Sequence, residues 1–315
     1  MPIDMKPRVA PNADDNPRYV LVTPARNEEA FIEATMSSVA AQTVRPLSWV
    51  IVSDGSTDRT DELVQRFASA HPWVEFVRMP ERKERHFAGK VDAFNAGYRR
   101  LARIDHAYIG SLDADISFEP DYFRFLLSRF ELDKTLGLAG TPFCENGIEY
   151  DYRFSRPEHV SGACQLFRRE CFESIGGYQP LKAGAIDLTA VVTARMRGWT
   201  TRTFTDMRCL HHRPMGTARN RQLPALFRSG FLDYRMGVHP LWQLLRSIYQ
   251  MSRPPHIVGG MLLLFGYSCA VLMRAGMPVS AEFVQFRRKE QMEWLREYAS
   301  RLLHVAGWRS RRSRR

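Results

Sequence analysis

A chain of 315 residues with 44% hydrophobic and 11% aromatic side chains can bury a substantial core, which excludes a disordered polymer. The formal charge is +11, and twelve Lys/Arg against four Glu from Met251 onward place +8 of it in the last fifth. That basic stretch flanks apolar sequence, as expected for an anionic membrane surface; no helix-turn-helix or base-stacking pattern accompanies it, so nucleic acid is not the expected partner.

Five cysteines, an odd number without a CxxC pair, argue against a disulfide framework or a structural zinc site and fit a reducing compartment. Residues 1–17 carry Pro, Asn and Asp but no apolar core, and read as a flexible arm rather than a secretory signal. The apolar run Tyr19 to Pro24 predicts a buried strand, followed by helical spacing from Glu28 to Ala41. Ser48 to Ser53 predicts a second strand, and Asp58 can cap a helix over Arg59 to Ala70. Val74 to Met79 and Ala107 to Leu112 predict further strands, with a helix over Val91 to Ala102 between them and another from Pro120. This βαβ alternation implies a doubly wound, mostly parallel α/β sheet with helices on both faces, and ligands at the carboxyl ends of its strands.

Beyond Leu136 the pattern loosens. Leu136 to Thr141 reads as a strand, while Ala163 to Arg168, Thr200 to Thr205 and Met207 to His211 read as mixed or antiparallel additions. Asp187 to Arg197 predicts a helix closed by Gly198. Near the C-terminus, Leu241 to Met251 has an apolar face, Pro254-Pro255 breaks the chain, and Ile257 to Met273 is almost wholly apolar. As a helix those seventeen residues reach about 26 Å, against a hydrocarbon core of roughly 30 Å. A borderline membrane span and a helix packed inside protein are both open.

Polar clusters follow the predicted strands. Asp113-Ala114-Asp115 can direct two carboxylates at one site, and a hard divalent cation held there would absorb the charge of a diphosphate. Taken alone, the pair reads more readily as solvated turn residues; its place after the strand Tyr-Ile-Gly-Ser-Leu112 changes that. Pro24-Ala-Arg26-Asn27-Glu28 and Asp54 offer in-plane acceptors and donors for a base and ribose, and Asn27 also suits a helix cap. Lys90, after Gly89, can pair with diphosphate at a helix start; Asn95 and Gly97 follow it. Asp187 is either a cap or a general base, and His211 and His212 are either structural or directed at a metal or diphosphate.

Together and in this order, these blocks resemble the family 2 glycosyltransferases, an inverting group with the GT-A fold, from about Tyr19 to about His212. Ser161-Gly162-Ala163-Cys-Gln-Leu-Phe-Arg-Arg and Ile175-Gly-Gly-Tyr178 resemble the family's acceptor-side segment. The resemblance implies nucleotide-sugar contacts at Pro24, Arg26, Asn27, Glu28, Asp54, Lys90, Asn95, Asp113 and Ala114. It implies a Mn²⁺ or Mg²⁺ ion on Asp115 with His212, and Asp187 as the catalytic base. His211, Gly162 and Ala163 are further candidates.

Two departures stand out. The family's usual Glu-Asp at the catalytic position is Ile186-Asp187 here, and the Gln-x-x-Arg-Trp of its processive synthases is Gln243-Leu-Leu-Arg246-Ser247. The expected layout is an arm over 1–17, a transferase domain over 18–220, a helical region over 221–307 containing the apolar segment 257–273, and a basic tail over 308–315. The expected function is metal-dependent, hexosyltransferase-type transfer from a nucleotide-sugar, UDP-linked by the family's habit, to a glycan or polyprenyl-linked hydroxyl in envelope polysaccharide synthesis. The expected place is the cytoplasmic face of the bacterial inner membrane, as a peripheral, monotopic or single-span protein. A sugar nucleotidyltransferase, or a non-catalytic membrane or nucleic-acid binding protein on an inert fold, are the alternatives.

Overall fold

The computed structural model describes residues 17–81, 87–145, 148–149, 156–213 and 222–312. The chain divides into two compact units, Met1–Arg213 and Pro214–Arg315. Most of the expected N-terminal arm, the boundary expected at 220/221 and the last residues of the basic tail lie outside the described residues.

The first unit is built on β1 (Tyr19–Ala25), β2 (Ser48–Ser53), β3 (Val74–Arg78), β4 (Tyr108–Leu112), β6 (Leu136–Gly140), β9 (Cys164–Arg168) and β10 (Thr200–Thr203). Their order is β10-β6-β9-β4-β1-β2-β3. Every neighbouring pair is parallel except those made by β9, which runs antiparallel to both β4 and β6. The sheet is therefore mixed but mostly parallel, as the βαβ spacing predicts. Its central strands are buried on both sides, which explains their unbroken apolar runs.

Alternate residues of β1 and β2 serve opposite layers. Tyr19, Leu21, Trp49 and Ile51 join one core with α1 (Ile32–Ala40), α2 (Thr60–Ala70) and α4 (Tyr122–Leu132). Val22 and Val52 face α3 (Ala88–Arg100) on the other side, where Gly97 lets the helix settle directly on the sheet: a Cβ there would lie 2.6 Å from the Val22 Cγ1. Helix α3 starts three residues earlier than its spacing predicts, so Gly89 and Lys90 form its first turn.

A smaller sheet, ordered β5-β11-β7-β8, combines β5 (Ile116–Phe118), β11 (Cys209–His211), β7 (Phe143–Glu145) and β8 (Ile148–Glu149). Its β5–β11 pairing is antiparallel and sets His211 opposite Ile116. This pairing returns the far end of the unit to the residues just after β4. Helices α5 (Arg169–Ser174) and α6 (Ile186–Met196) complete the unit.

The second unit is helical: α7 (Gln222–Arg235), α8 (Pro240–Met251), α9 (Val258–Leu272) and α10 (Ala281–Arg312). Helix α9 is hydrophobic all round, the pattern of a helix with apolar neighbours on every side. Close backbone approach seats it: a Cβ on Gly266 would lie 2.0 Å from the Phe227 carbonyl oxygen of α7. His239 caps α8 by accepting from the Leu241 N–H at 3.2 Å, with Pro240 as its first residue. Gln243 and Ser247 of α8 are fully buried, and Arg246 pairs with Asp233 of α7. Gln243 and Arg246 of the Gln-Leu-Leu-Arg segment thus serve internal contacts here, while Leu244 and Leu245 are exposed. Helix α9 has fifteen residues, about 22 Å long, and no helix among the described residues is long and apolar enough to cross a membrane. Of the readings open for 257–273, the membrane span is therefore the one this helix does not support. The basic tail does not begin as a separate segment, since α10 runs through to Arg312.

Replacing Gly97 with Leu should lower stability by about 1–3 kcal/mol through overpacking between α3 and the sheet. Urea denaturation measures this, and an unchanged midpoint would show that the helix can lift without cost.

Candidate active site

The carboxyl ends of β1, β2 and β4 carry the polar clusters. The β1–α1 and β2–α2 loops are tied together by hydrogen bonds. Asn27 N–H donates to Ser56 Oγ at 3.2 Å, and Thr57 N–H to Asn27 Oδ1 at 2.8 Å. Glu28 N–H donates to Thr60 Oγ1 at 2.7 Å, and Arg59 N–H to the Glu29 carboxylate at 3.0 Å. Asp58 accepts from both Thr60 N–H at 3.0 Å and Glu29 N–H at 3.1 Å, so its expected capping role extends to the neighbouring loop. Asn27 does not cap α1; it adopts a left-handed φ of 56° and spends its side chain on this inter-loop bond. At the base, Asp54 is buried, with Arg26 Nη1 3.7 Å from its carboxylate. Pro24 pairs in register with Val52 beside them.

The Asp113-Ala114-Asp115 turn follows β4. Asp113 N–H donates to the Ala163 carbonyl at 2.9 Å, which joins this turn to the Gly162–Ala163 segment entering β9. The two carboxylates part company. Asp113 forms a short ion pair with Lys90 from the first turn of α3. Burial raises the Asp113 carboxyl, with Asp115 adding to the rise and Lys90 opposing it. Burial works against the Lys90 charge, but Asp113, with Asp187 and Asp115 behind it, holds the ammonium above its usual range. Asn95 lies five residues further along α3, roughly 140° around the helix from Lys90, so the two do not share a face.

Asp115 faces the second sheet. His211 Nε2 lies 3.7 Å from its Oδ1, and both side chains are about nine-tenths buried. His212 instead directs its ring to Ser117 Oγ at 2.8 Å, while its backbone N–H donates to the Asp115 carbonyl at 2.8 Å. Of the two imidazoles, it is therefore His211 that adjoins the Asp115 carboxylate. Arg213 reaches the same point. It forms a short ion pair with Glu28, lies 3.4 Å from Asp115 Oδ2 through Nε, donates to the Asn27 carbonyl at 3.2 Å and covers the Phe31 ring at 5.5 Å. Burial, reinforced by the Asp115 charge, raises Glu28 from 4.5 to about 7 despite Arg213.

Sequence reading missed Arg213. Its only signal was adjacency to the two histidines.

Asp187 opens α6 directly after Ala185, a non-glycine residue held at a left-handed φ of 63°. Such strain persists where the surroundings enforce it, and it concentrates at functional sites. Gly162 permits the approach: a Cβ on it would lie 3.1 Å from the Asp187 Cβ and 3.3 Å from its carboxylate. Asp187 influences Lys90 electrostatically, so the expected base belongs to the same cluster as the expected donor residues. Ile186, where the resembling family carries a second acid, is buried in the core.

The metal expectation can be tested on the donors themselves. Asp115 and His211 supply one carboxylate and one imidazole at a common point, a set suited to Mn²⁺ or Mg²⁺ when phosphate oxygens and water complete the shell. Among the described residues no group of three or more His, Cys, Asp or Glu side chains could hold an ion by itself. The residues fit an ion shared with a diphosphate rather than a closed protein cage.

Comparison with known proteins agrees with this geometry. The description "Glycosyl transferase family 2" matches residues 20–180. A poly-beta-1,6-N-acetyl-D-glucosamine synthase of Staphylococcus aureus (strain COL) is 28% identical over 145 residues, 46% of this chain and 32% of that protein. A chondroitin synthase of Pasteurella multocida (strain Pm70) is 32% identical over 125 residues, 40% of this chain and 12% of that protein. The matches thus span a third or less of these relatives' length. Among solved structures, the mannosyltransferase PcManGT from Pyrobaculum calidifontis, in complex with GDP-Man and Mn²⁺, superposes with a TM-score of 0.56 at 21% identity, covering 95% of this chain and 84% of that one. S. aureus TarS 1–349 in complex with UDP-GlcNAc gives a TM-score of 0.51 at 12% identity, covering 86% and 78%. These neighbours share the GT-A fold. With the matched region spanning half of its residues, this chain belongs to glycosyl transferase family 2.

Proposed function

We propose that this protein is an inverting, metal-dependent glycosyltransferase that moves a hexosyl group from a UDP-sugar to a hydroxyl of a glycan or polyprenyl-linked acceptor in envelope polysaccharide synthesis. The observation that carries this reading is the convergence of Lys90, Asp113, Asp115, His211 and Asp187 at one end of the sheet, although they come from four separate elements or turns. The curated synthase relatives and the TarS complex support the donor class through the names they carry.

In this reading the linked β1–α1 and β2–α2 loops form the nucleoside cradle, with Asp54 and Arg26 at its base. Asp115 and His211 would hold the divalent cation, which would supply Lewis acidity to the diphosphate. Lys90 and Arg213 are the fixed positive charges nearest the phosphates. The Asp187 carboxylate accepts the acceptor hydroxyl proton. The freed oxygen forms its bond to the anomeric carbon as the bond from that carbon to the phosphate oxygen breaks, so configuration inverts and the nucleoside diphosphate leaves with the electron pair. The protein works at the cytoplasmic face of a membrane as a peripheral or monotopic enzyme, where a polyprenyl-linked acceptor is presented.

Asp187→Asn should lower kcat by about 10²–10⁴-fold while leaving the UDP-induced rise in melting temperature intact. Turnover close to wild type would remove Asp187 from the mechanism. A second test concerns Glu28. The folded state holds its proton more tightly than the unfolded chain, so its contribution to stability is complete below about 4.5 and is lost as pH rises through about 7. Glu28→Gln should therefore melt higher than wild type at pH 8, with the gap closing toward pH 4. A gap independent of pH would show that Glu28 is not strained by its neighbours.

A further inference from the structure

The helical unit exposes apolar stripes that its own packing does not use. On α8, Leu241, Leu244, Leu245 and Ile248 are 42–53% exposed, at a spacing that puts them on one face. Gln243 and Ser247, both fully buried, lie on the opposite side of that helix. On α9, Val258, Met261, Phe265 and Leu272 form a second stripe, 48–83% exposed. The buried face of α9, centred on Gly259, Leu263, Gly266 and Ala270, points the other way, toward its neighbours. A helix facing water would carry polar residues along such a stripe; α9 has no charged residue from Val258 to Leu272. Exposed apolar stripes of this kind mark an interaction site.

Charge identifies the occupant. From Pro214 to Arg315 there are seventeen Lys/Arg against five Asp/Glu, a net +12, whereas residues 1–213 carry a net −1. No acidic residue occurs between Asp233 and Glu282, although Arg235, Arg246, Arg253 and Arg274 do. Arg253 and Arg274 bracket α9 at its two ends. A second copy of the chain would bring a like +12 against this face, which disfavours self-association. An anionic bilayer matches both features: acyl chains for the stripes and phosphate groups for the arginines. Because α9 is too short to span and is flanked by basic residues at both ends, it fits the plane of the interface.

We infer that the exposed faces of α8 and α9 form an in-plane docking surface for an anionic lipid bilayer, seated at the boundary between headgroups and acyl chains. This deepens the membrane-surface reading above and rests on it for the class of partner.

The test is flotation of the full chain with vesicles of phosphatidylcholine alone or with added phosphatidylglycerol. Wild type should float with the anionic vesicles and bind neutral ones more weakly. Leu244→Glu with Ile248→Glu, and separately Met261→Glu with Phe265→Glu, should each lower partitioning by roughly tenfold or more. Their melting temperatures and UDP-induced shifts should stay near wild type, since all four positions are exposed. The inference is overturned if wild type stays with the aqueous fraction, if both double variants float like wild type, or if the variants dissolve a dimer without altering flotation. Transfer to a soluble glycan acceptor without vesicles reads the catalytic proposal separately: its absence alongside intact flotation would sink that proposal alone.

Discussion

The first unit depends on balancing negative charge at one end of its sheet. The Asp115 charge lies close enough to raise the proton affinity of both Glu28 and Asp113. Two like charges about 4 Å apart repel by roughly 4 kcal/mol at an effective dielectric near 20. Lys90 and Arg213 offset that repulsion, and each arrives from an element distant in sequence, α3 and the end of β11. The site therefore forms only when both elements dock. Gly97 permits the first by close packing on Val22, and the β5–β11 pairing fixes the second. In the proposed reading the cations that neutralise these carboxylates are also the charges a diphosphate would meet.

A rigid frame surrounds this balance. The β1–α1 and β2–α2 loops exchange backbone and side-chain hydrogen bonds in both directions, which limits the conformations open to Arg26, Asn27 and Asp54. A binding site held this way loses little ordering entropy when a ligand arrives. Asp187 is held differently, by a left-handed turn at Ala185 and by the missing side chain at Gly162. With Ile186 in the core rather than a second acid, Asp187, the proposed base, stands without a neighbouring carboxylate from the same turn.

Much of this was legible because buried parallel strands write themselves as continuous apolar runs. Tyr19, Ser48 and Tyr108 open strands where the runs begin, or within a residue, and the acidic turns follow at the ends. The choice between His211 and His212 was not legible. Successive strand residues point to opposite faces, so it turns on the register of β11 against β5, set by residues more than ninety positions apart. Strands β5 and β11 have three residues each, too few for a periodic signal. Arg213 had no distinctive spacing among the 45 Lys/Arg of the chain, and only the fold sets it between two carboxylates. The short span of α9 could be counted from sequence, but its seating on glycines against α7 could not.

The helical unit poses the inverse electrostatic problem. Its positive charge exceeds what its own carboxylates neutralise: Asp233 takes Arg246, Glu293 takes Lys289 and Glu297 takes Arg301, while Arg235, Arg287 and Arg288 donate to the carbonyls of Gly276, Met236 and Gly237, and the net charge stays at +12. Helix α9 meanwhile is apolar on both its packed and its exposed sides, so hydration of the outer stripe is unfavourable by roughly 25 cal/mol for each Å² of apolar surface left in water. A purely aqueous partner relieves only one of these two costs. Anionic headgroups over acyl chains relieve both, since phosphate sits at the level the arginines reach and hydrocarbon lies just beneath it. The chain's charge is thus divided between its two units: residues 1–213 carry a net −1 and Pro214 to Arg315 a net +12, and in the inference above the counter-ions of the second would be lipid headgroups.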